Sequence, residues 1–220
     1  NAPERKLLWS GYQQRLVTSS RIKRGIKFAD EHTDQLNLMT KTTGVDGAII
    51  AAIAGIESNY GANMGQHLTL RVLVTLAFDY PRRSQFFQRQ LAEFFRLCFS
   101  QGLDPMLVKG SAAGAVGMGQ FIPTSYRDFA VDGDGDDRID LFHSKADNIA
   151  SIANYLARHK WQEGAPWLLV VDTEVDPLWV SKKAKRQGVE LAEWQRRGVT
   201  MPGSYDPEAE FNLYAFSTEK

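Results

Sequence analysis

The chain has 220 residues, which is enough for one sizeable domain or two small ones. Hydrophobic residues make up 43% of it and charged residues 24%, as in a folded globular protein. Lys and Arg together number 26, and so do Asp and Glu, so no overall charge draws the chain to nucleic acid or to an anionic membrane. The single Cys98 excludes an internal disulfide.

The first 42 residues are predicted to be helical and polar, with a break near Ser19. They begin with Asn-Ala-Pro-Glu-Arg and not with a charged and then apolar leader. This beginning fits either a cytoplasmic protein or a mature chain whose leader has been removed. No apolar run in the sequence reaches the roughly 18 residues that a membrane-spanning helix needs.

A central helix is predicted over the apolar stretch 48–61. Asp46 precedes it and suits the N-cap position, and Gly61 suits the position after its last turn. A second apolar helix is predicted at 68–78. It ends before Pro81, because a proline disfavours helix in the residue before it.

Glu57 is the charged residue of the central stretch. On a helix of 3.6 residues per turn it shares a face with Ile50, Ile53 and Ala54, so we expect its carboxyl group to face the interior. A buried carboxyl group without a counter-charge becomes neutral and can then act as a general acid. The alternative interpretation is a Glu at a fraying helix end that pairs with an Arg.

A third helix is predicted over 84–100, and its inner face carries aromatic and apolar side chains (Phe87, Leu91, Phe94, Phe95 and Cys98). This spacing is typical of a core and not of a cofactor site, and Cys98 is expected to be a small buried hydrophobe. Arg82 and Arg83 precede this helix. They are either solvated or available to an anion.

Residues 109–123 contain four glycines and three alanines. Such a segment forms a wall with few side chains, which a bulky ligand can approach closely. A phosphate-binding loop is excluded, because no Gly-Lys-Ser/Thr follows and no G-x-G-x-x-G can be fitted. Ser111 and Gln120 are therefore the polar groups expected to orient a ligand.

The acidic stretch 132–147 resembles a calcium-binding loop. Asp132, Asp134 and Asp136 occupy positions 1, 3 and 5 of such a loop, and Arg138 would offer its carbonyl oxygen at position 7. Carboxylates this close together repel one another unless a cation binds them. The stretch predicts either a structural calcium site or a solvated acidic turn.

Two positions depart from the calcium-loop pattern. Asp137 stands at position 6, where glycine is expected, and His143 stands at position 12 instead of the bidentate Glu. Asp147 could close a lengthened loop. A lone loop of this kind is more typical of a structural clip than of a calcium sensor.

The last third of the chain is predicted to resume as a helix at Asn148, with Asn154 and Tyr155 on or beside its inner face. A short strand is predicted at 168–171. A basic helix with a solvated face is predicted at 181–197, and a strand at 211–216.

Five segments resemble the lytic murein transglycosylase B family at matching order and spacing over about residues 40–165. They are Glu57-Ser58-Asn59-Tyr60-Gly61, Tyr80-Pro81-Arg82-Arg83, the run from Ser111 to Pro123, Val131-Asp132-Gly133-Asp134-Gly135-Asp136, and Ala153-Asn154-Tyr155. The resemblance implies a mainly α protein, in which a lysozyme-like catalytic core carries an added helical domain and an EF-hand-like loop.

The resemblance also implies roles for single residues. Glu57 corresponds to the family's catalytic acid and base, and Arg82 and Arg83 to a pair near the stem peptide. Further substrate-binding positions are Ser111, Gln120, Tyr155, Tyr60 and Asn154. The metal positions are Asp132, Asp134, Asp136, Arg138 and Asp147.

The implied domain organisation has four parts. Residues 1–45 belong to the helical domain, and 46–165 form the catalytic core with its calcium-type loop at 132–147. Residues 166–200 are a helical insert that packs with the helical domain, and 201–220 are a C-terminal segment that looks incomplete beside the family.

The resemblance implies cleavage of the MurNAc–GlcNAc β-1,4 bond of peptidoglycan with 1,6-anhydromuramoyl ends. It implies no cofactor for the chemistry, a structural Ca²⁺, and peptidoglycan strands and other cell-wall enzymes as partners. A monomer in the periplasm is expected, either soluble or lipid-anchored to the outer membrane. The alternatives are a goose-type muramidase that hydrolyses the same bond, a peptidoglycan-binding protein without activity and a calcium-regulated interaction domain.

Overall fold

The computed structural model describes residues 9–166, 168–171, 189–205, 208 and 210–211. It is built mainly of helices, which confirms the predicted fold class. The helices are α1 Trp9–Leu16, α2 Ser19–Glu31, α3 Thr33–Thr43, α4 Gly47–Ser58, α5 Thr69–Phe78, α6 Ser84–Gln101, α7 Pro123–Phe129, α8 Lys145–Arg158 and α9 Leu191–Arg196, with a 3₁₀ turn at Pro81–Arg83.

The strands in the described residues are short. Strand β1 (His67–Leu68) pairs antiparallel with β2 (Lys109–Gly110), so that His67 lies opposite Gly110. Strand β3 (Val189–Glu190) pairs antiparallel with β4 (Glu210–Phe211).

The chain divides into two compact units. One comprises Leu16–Glu163, and the other comprises Asn1–Arg15 with Gly164–Lys220. All the predicted site residues belong to the first unit. Residues 16–45 belong to this unit too, whereas the assignment of 1–45 and 166–200 to a shared helical domain stays a prediction.

The first unit has a continuous apolar core to which α2 to α8 contribute, and α6 packs between α5 and α7. Phe87, Phe94 and Cys98 of α6 are buried as predicted. Burial raises the pKa of the Cys98 thiol to about 11, so this side chain is an inert part of the core. Phe95, predicted to be internal, is 47% exposed. It lies about 100° around the helix from Phe94, beyond the edge of the buried face that Phe87, Phe94 and Cys98 share.

Several predicted boundaries differ from the structure. Helix α4 ends at Ser58 and not at Gly61, because Asn59 already adopts the left-handed conformation that ends the helix. Helix α8 begins at Lys145, three residues before the predicted start, and the Ser144 hydroxyl caps it by accepting the Asp147 N–H.

The C-terminal predictions are only partly within the described residues. Residues 168–171, predicted as a strand, are irregular. Of the predicted basic helix, 181–188 lie outside the described residues and the rest forms β3 and α9. Of the predicted last strand, 212–216 also lie outside them. No helix in the described part of the chain has the length and hydropathy needed to cross a membrane.

Candidate active site

Glu57 lies in the last turn of α4, one residue before the helix ends. The helix begins as predicted, where the Asp46 carboxylate accepts a hydrogen bond from the Ala48 N–H at 2.8 Å. Its buried face carries Ile50, Ala51, Ala54, Gly55 and Ser58. Glu57 is exposed, about a quarter turn from the centre of this face. The expectation that it points into the interior is therefore wrong: it stands at the edge of the core, where a substrate can reach it.

The Glu57 carboxyl group is still partly shielded from water, and this burial raises its pKa above the ordinary value for Glu. Among the described residues, no basic side chain contributes to the shift and none pairs with the group. The alternative of an Arg-paired helix end therefore has no support there. A carboxyl group in this state can hold a proton near neutral pH and donate it, which is what general acid catalysis requires.

The chain turns sharply after the helix. Asn59 (φ 53°) and Tyr60 (φ 60°) are consecutive residues in the left-handed region, where side chains other than glycine are strained. The turn is held by hydrogen bonds on both sides of this pair. The Ser58 hydroxyl accepts the Gly61 N–H at 2.9 Å, and the Asn63 N–H donates to the Ser58 carbonyl at 2.8 Å.

Tyr60 was predicted to be a substrate-binding residue. Its ring packs against Phe28 of α2 at 5.3 Å between centroids, and its hydroxyl lies where a side chain at Gly25 or Gly55 would collide with it. Burial raises the pKa of its phenol. Tyr60 therefore occupies a slot between α2 and α4 and fixes the close approach of these two helices.

The small-residue wall (109–120) starts at β2 and folds back on itself. The Ser111 hydroxyl accepts the N–H groups of Ala113 and Ala115 at 3.2 and 3.1 Å, which leaves its own proton available to a ligand. A Cβ at Gly110 would strike the Ala115 carbonyl oxygen. Glycine is thus needed for the tight packing of the wall, in addition to leaving its surface bare.

The side chain of Gln120 connects the wall to the loop that follows α4. Its amide nitrogen donates to the Gly117 carbonyl at 2.9 Å and to the Met64 carbonyl at 3.3 Å. Gln120 itself is left-handed, with φ 52°. Because both amide protons are directed to the backbone, its amide oxygen is the atom available to a ligand.

Tyr155 lies on α8 next to the wall, with its ring edge-on to Phe121 at 6.1 Å and to Phe129 at 5.0 Å. It is 37% exposed, so part of the side chain is accessible to a ligand. The side chain of the neighbouring Asn154 instead makes a hydrogen bond within the protein. Its amide nitrogen donates to the Phe129 carbonyl at 2.8 Å and fixes α8 to the end of α7.

Arg82 and Arg83 are exposed in the 3₁₀ turn before α6. The Arg83 guanidinium lies over the Phe86 ring at 4.1 Å, which orients it by a cation–π contact. Among the described residues, neither arginine forms an ion pair with a carboxylate. Both are therefore available to an anionic group of a ligand.

The acidic loop brings Asp132, Asp134 and Asp147 together, with one carboxylate oxygen of each within 4.8 Å of the others. Asp147 is 1% exposed and accepts the N–H groups of Gly133 and Asp140. No ion pair involves these three carboxylates in the described residues. Three hard oxygen donors around one point, one of them deeply buried, fit a Ca²⁺ ion.

Two of the predicted metal positions lie outside this trio. The Asp136 carboxylate accepts the Arg138 N–H at 2.9 Å, and Asp136 is not part of the group. Asp137 has φ 66°, a conformation that the expected glycine would adopt more easily. Asp136 and the Arg138 carbonyl as metal ligands stay predictions.

Comparison with known proteins identifies the family. The model of the transglycosylase SLT domain matches residues 1–219. The chain belongs to this family. It is 39% identical to the membrane-bound lytic murein transglycosylase B of Escherichia coli (strain K12) over 156 residues, which are 71% of this chain and 43% of that protein. The chain thus spans less than half the length of this relative.

Solved structures of lytic transglycosylases resemble this SLT domain closely. The catenated SltB1 from Pseudomonas aeruginosa has a TM-score of 0.88 and 34% identity, over 98% of this chain and 71% of that one. Slt35 from Escherichia coli in complex with calcium has a TM-score of 0.81 and 33% identity, over 89% of this chain and 62% of that one. SltB3 from Pseudomonas aeruginosa in complex with NAG-anhNAM-pentapeptide has a TM-score of 0.76 and 34% identity, over 89% of this chain and 52% of that one. These structures confirm the resemblance seen in the sequence, and the lysozyme-like core fits them.

Sequence reasoning missed three residues of the SLT domain that support the site. The buried Asn148 accepts the N–H groups of Met118 and Gly119 in the wall at 2.9 and 3.3 Å. His159 follows the last residue of α8 and stacks on Tyr155 at 4.1 Å, and its position four residues after Tyr155 was the available signal. Lys145 is half-buried, and burial lowers the pKa of its ammonium group. No pattern in the sequence indicated its partner.

Proposed function

We propose that this SLT domain cleaves the β-1,4 bond between MurNAc and GlcNAc in peptidoglycan without using water and leaves a 1,6-anhydromuramoyl end. The observation that carries the proposal is the Glu57 carboxyl group, whose pKa burial raises and which no cation among the described residues neutralises. The loop after it contacts the small-residue wall through Gln120 and Met64. The complex of the related SltB3 with NAG-anhNAM-pentapeptide supports the same chemistry.

In the first step, protonated Glu57 donates its proton to the glycosidic oxygen while the bond to C1 breaks. The acetamido group of the sugar itself can stabilise the positive charge that develops at C1. Ionised Glu57 then removes the proton of the muramoyl C6 hydroxyl group, whose oxygen attacks C1 of the same sugar. Glu57 regains its proton, and no water is consumed.

A single carboxyl group suits this reaction better than hydrolysis, because most glycosidases use two. Glu57 is the acidic residue of the described chain whose pKa is raised. The buried Glu93 is paired with Arg96 and Arg127, and the buried Asp147 accepts two backbone N–H groups. An intramolecular hydroxyl group can outcompete water because its effective molarity reaches about 10⁵ M or more in well-oriented cases.

The other predicted substrate contacts are distributed around Glu57 in this proposal. Ser111 would donate its hydroxyl proton to a sugar, and Gln120 would accept a proton through its amide oxygen. The exposed part of the Tyr155 side chain would pack against a sugar ring. Arg82 and Arg83 would bind a carboxylate of the stem peptide.

The test is digestion of purified sacculi, followed by mass spectrometry of the released fragments. We expect anhydro ends as the main product, each about 18 Da lighter than the hydrolysed counterpart, because the intramolecular attack omits one water. Ends that borohydride reduces, as the dominant product, would assign the domain to the muramidases while Glu57 kept its role as acid. Binding of sacculi without any release would assign it to the peptidoglycan-binding proteins.

We also propose that Asp132, Asp134 and Asp147 hold a structural Ca²⁺. The geometry of the three carboxylates and the calcium complex of the related Slt35 support this assignment. The ion would supply the positive charge that lets three carboxylates share one site, and the loop would then fix the start of α8. No step of the reaction passes through it.

The proposed substrate supports a periplasmic location, because peptidoglycan lies in the periplasm of bacteria with an outer membrane. A soluble or a lipid-anchored form stays a prediction. Other cell-wall enzymes as partners and the monomeric state stay predictions.

A further inference from the structure

The carbonyl group of Tyr60 accepts a hydrogen bond from Lys145 Nζ at 3.3 Å. Lys145 is the first residue of α8 and is far from Tyr60 in sequence. Its ammonium group also contacts the sulfur atom of the buried Met118 at 3.9 Å. Its side chain forms no ion pair with a carboxylate of the described residues. This lysine is therefore held by a backbone carbonyl and not by a counter-charge.

The space that the ammonium group occupies is provided by Gly61. A Cβ at this position would collide with Lys145 Nζ, and Gly61 has φ 85°. The absence of a side chain at Gly61 thus brings a cation against the turn that follows α4. A half-buried ammonium group is costly unless it makes hydrogen bonds, and the Tyr60 carbonyl offsets this cost.

The contact acts on the strained part of the turn. Asn59 and Tyr60 are both left-handed, and residues in such conformations persist only where their surroundings hold them. The Tyr60 ring is fixed in the slot between Gly25 and Gly55, whereas its carbonyl group is fixed by Lys145. The two contacts hold opposite ends of the same residue.

We propose that Lys145 is a positioning residue for Glu57. Lys145 holds the Tyr60 carbonyl in place, and this contact keeps Asn59 and Tyr60 in their left-handed conformations. These two residues determine where α4 ends, directly after Glu57. Without the ammonium group, Asn59 and Tyr60 relax towards right-handed conformations and the last turn of α4 shifts. The inference rests on the proposed role of Glu57 as the acid.

The test is Lys145→Met, which keeps most of the volume of the side chain against Met118 and removes the donor. We expect kcat on soluble glycan strands to fall about 10- to 100-fold, because small displacements of a catalytic group cost up to about 10² in rate. We expect KM to stay within about twofold of the wild-type value, because Lys145 itself does not bind the substrate in this proposal.

Amide hydrogen exchange reports on the turn directly. In Lys145→Met, the amides of residues 58–63 should exchange faster, while those of α6 keep their rates. Lys145→Arg, which restores a donor, should recover most of kcat.

Lys41→Met is the matched control, because Lys41 is exposed in the last turn of α3 and contacts none of these groups. The inference is overturned if Lys145→Met leaves kcat within twofold of the wild type, or if kcat falls without faster exchange at 58–63. A parallel Glu57→Gln variant separates the two proposals. If this variant stays active, the role of Glu57 is wrong. If it is inactive while Lys145→Met is fully active, only the positioning role is wrong.

Discussion

Glu57 and Asp132 of the acidic loop lie in two regions of the molecule that shift the pKa of a carboxyl group in opposite directions. At the end of α4, burial raises the pKa of Glu57 and no described residue donates to its carboxylate. In the loop, the N–H groups of Gly135, Asp137 and Asp134 hold the pKa of Asp132 below its usual range. One region favours the protonated acid, and the other favours the anion.

The difference arises from burial at Glu57 and from backbone donors in the acidic loop. The chain around the loop turns so that three N–H groups point at the Asp132 carboxylate and two at that of Asp147, and such donors stabilise negative charge. At the end of a helix the exposed backbone groups are carbonyls, whose partial negative charge disfavours a carboxylate. A proton donor and a cation site can therefore be built from the same functional group.

The largest effect is expected for Glu57→Gln, which keeps the volume of the side chain and removes its proton. Release of fragments from sacculi should fall by 10²-fold or more, since general acid catalysis typically supplies about 10²–10⁴-fold. The melting temperature and the far-ultraviolet circular dichroism should remain those of a folded protein. The control is Asp137→Asn, which removes an exposed carboxylate outside the trio. Activity of Glu57→Gln within tenfold of the wild type would contradict the assignment.

Calcium should stabilise the protein without being needed for the chemistry. A ligand that binds only the folded state stabilises it by about 2.7 kcal/mol at a concentration 100 times its Kd. The melting temperature should therefore rise with added CaCl₂ and fall with a chelator. Equal melting temperatures under both conditions would refute the metal site.

Variants locate this calcium effect. Asp147→Asn should abolish most of the shift, because Asp147 is the buried member of the trio. Asp137→Asn should keep the shift, since its side chain is outside the group. Asp136→Asn decides an open point: a reduced shift would make Asp136 a fourth ligand, and an unchanged shift would leave it as a cap for the Arg138 N–H.

The pH dependence of the rate should follow the raised pKa of Glu57. Activity needs the protonated form at the first step, so kcat/KM should fall as the pH rises through the pKa of this group. Burial places that fall above the ordinary range of Glu. A decline centred at or below the ordinary pKa of Glu would show that the substrate-free enzyme holds Glu57 as a solvated carboxylate.

The sequence predicted those parts of the site that depend on neighbours along the chain. Asp46 as a helix cap, the bare wall of 109–120 and the gathering of Asp132 and Asp134 are local features, and the structure has them. The exposure of Glu57 was predicted wrongly. Helical periodicity gives the relative directions of side chains, but the packing of other helices decides which direction is buried.

Contacts between distant segments could not be predicted. The slot for Tyr60 needs a glycine from α2 and another from α4, and each of them alone resembles any other helical glycine. The hydrogen bond between Lys145 and the Tyr60 carbonyl joins segments that only the fold brings together. Every residue has a backbone carbonyl. When a side chain binds to one, the sequence therefore contains no particular residue type that would identify the partner.

The smallest effect concerns stability and tests the same carboxyl group without any substrate. Because the pKa of Glu57 is raised on folding, the folded protein binds more protons than the unfolded chain between the ordinary and the raised pKa. Stability from this group is therefore fully present below the ordinary pKa of Glu and is lost as the pH rises through the raised value. Glu57→Gln is neutral at every pH and lacks this loss. The melting temperature of Glu57→Gln minus that of the wild type should therefore be larger at pH 7 than at pH 4. A difference between the two proteins that is the same at both pH values would mean that folding does not raise this pKa. Of the two opposite pKa shifts, only the lowered pKa in the acidic loop would then remain.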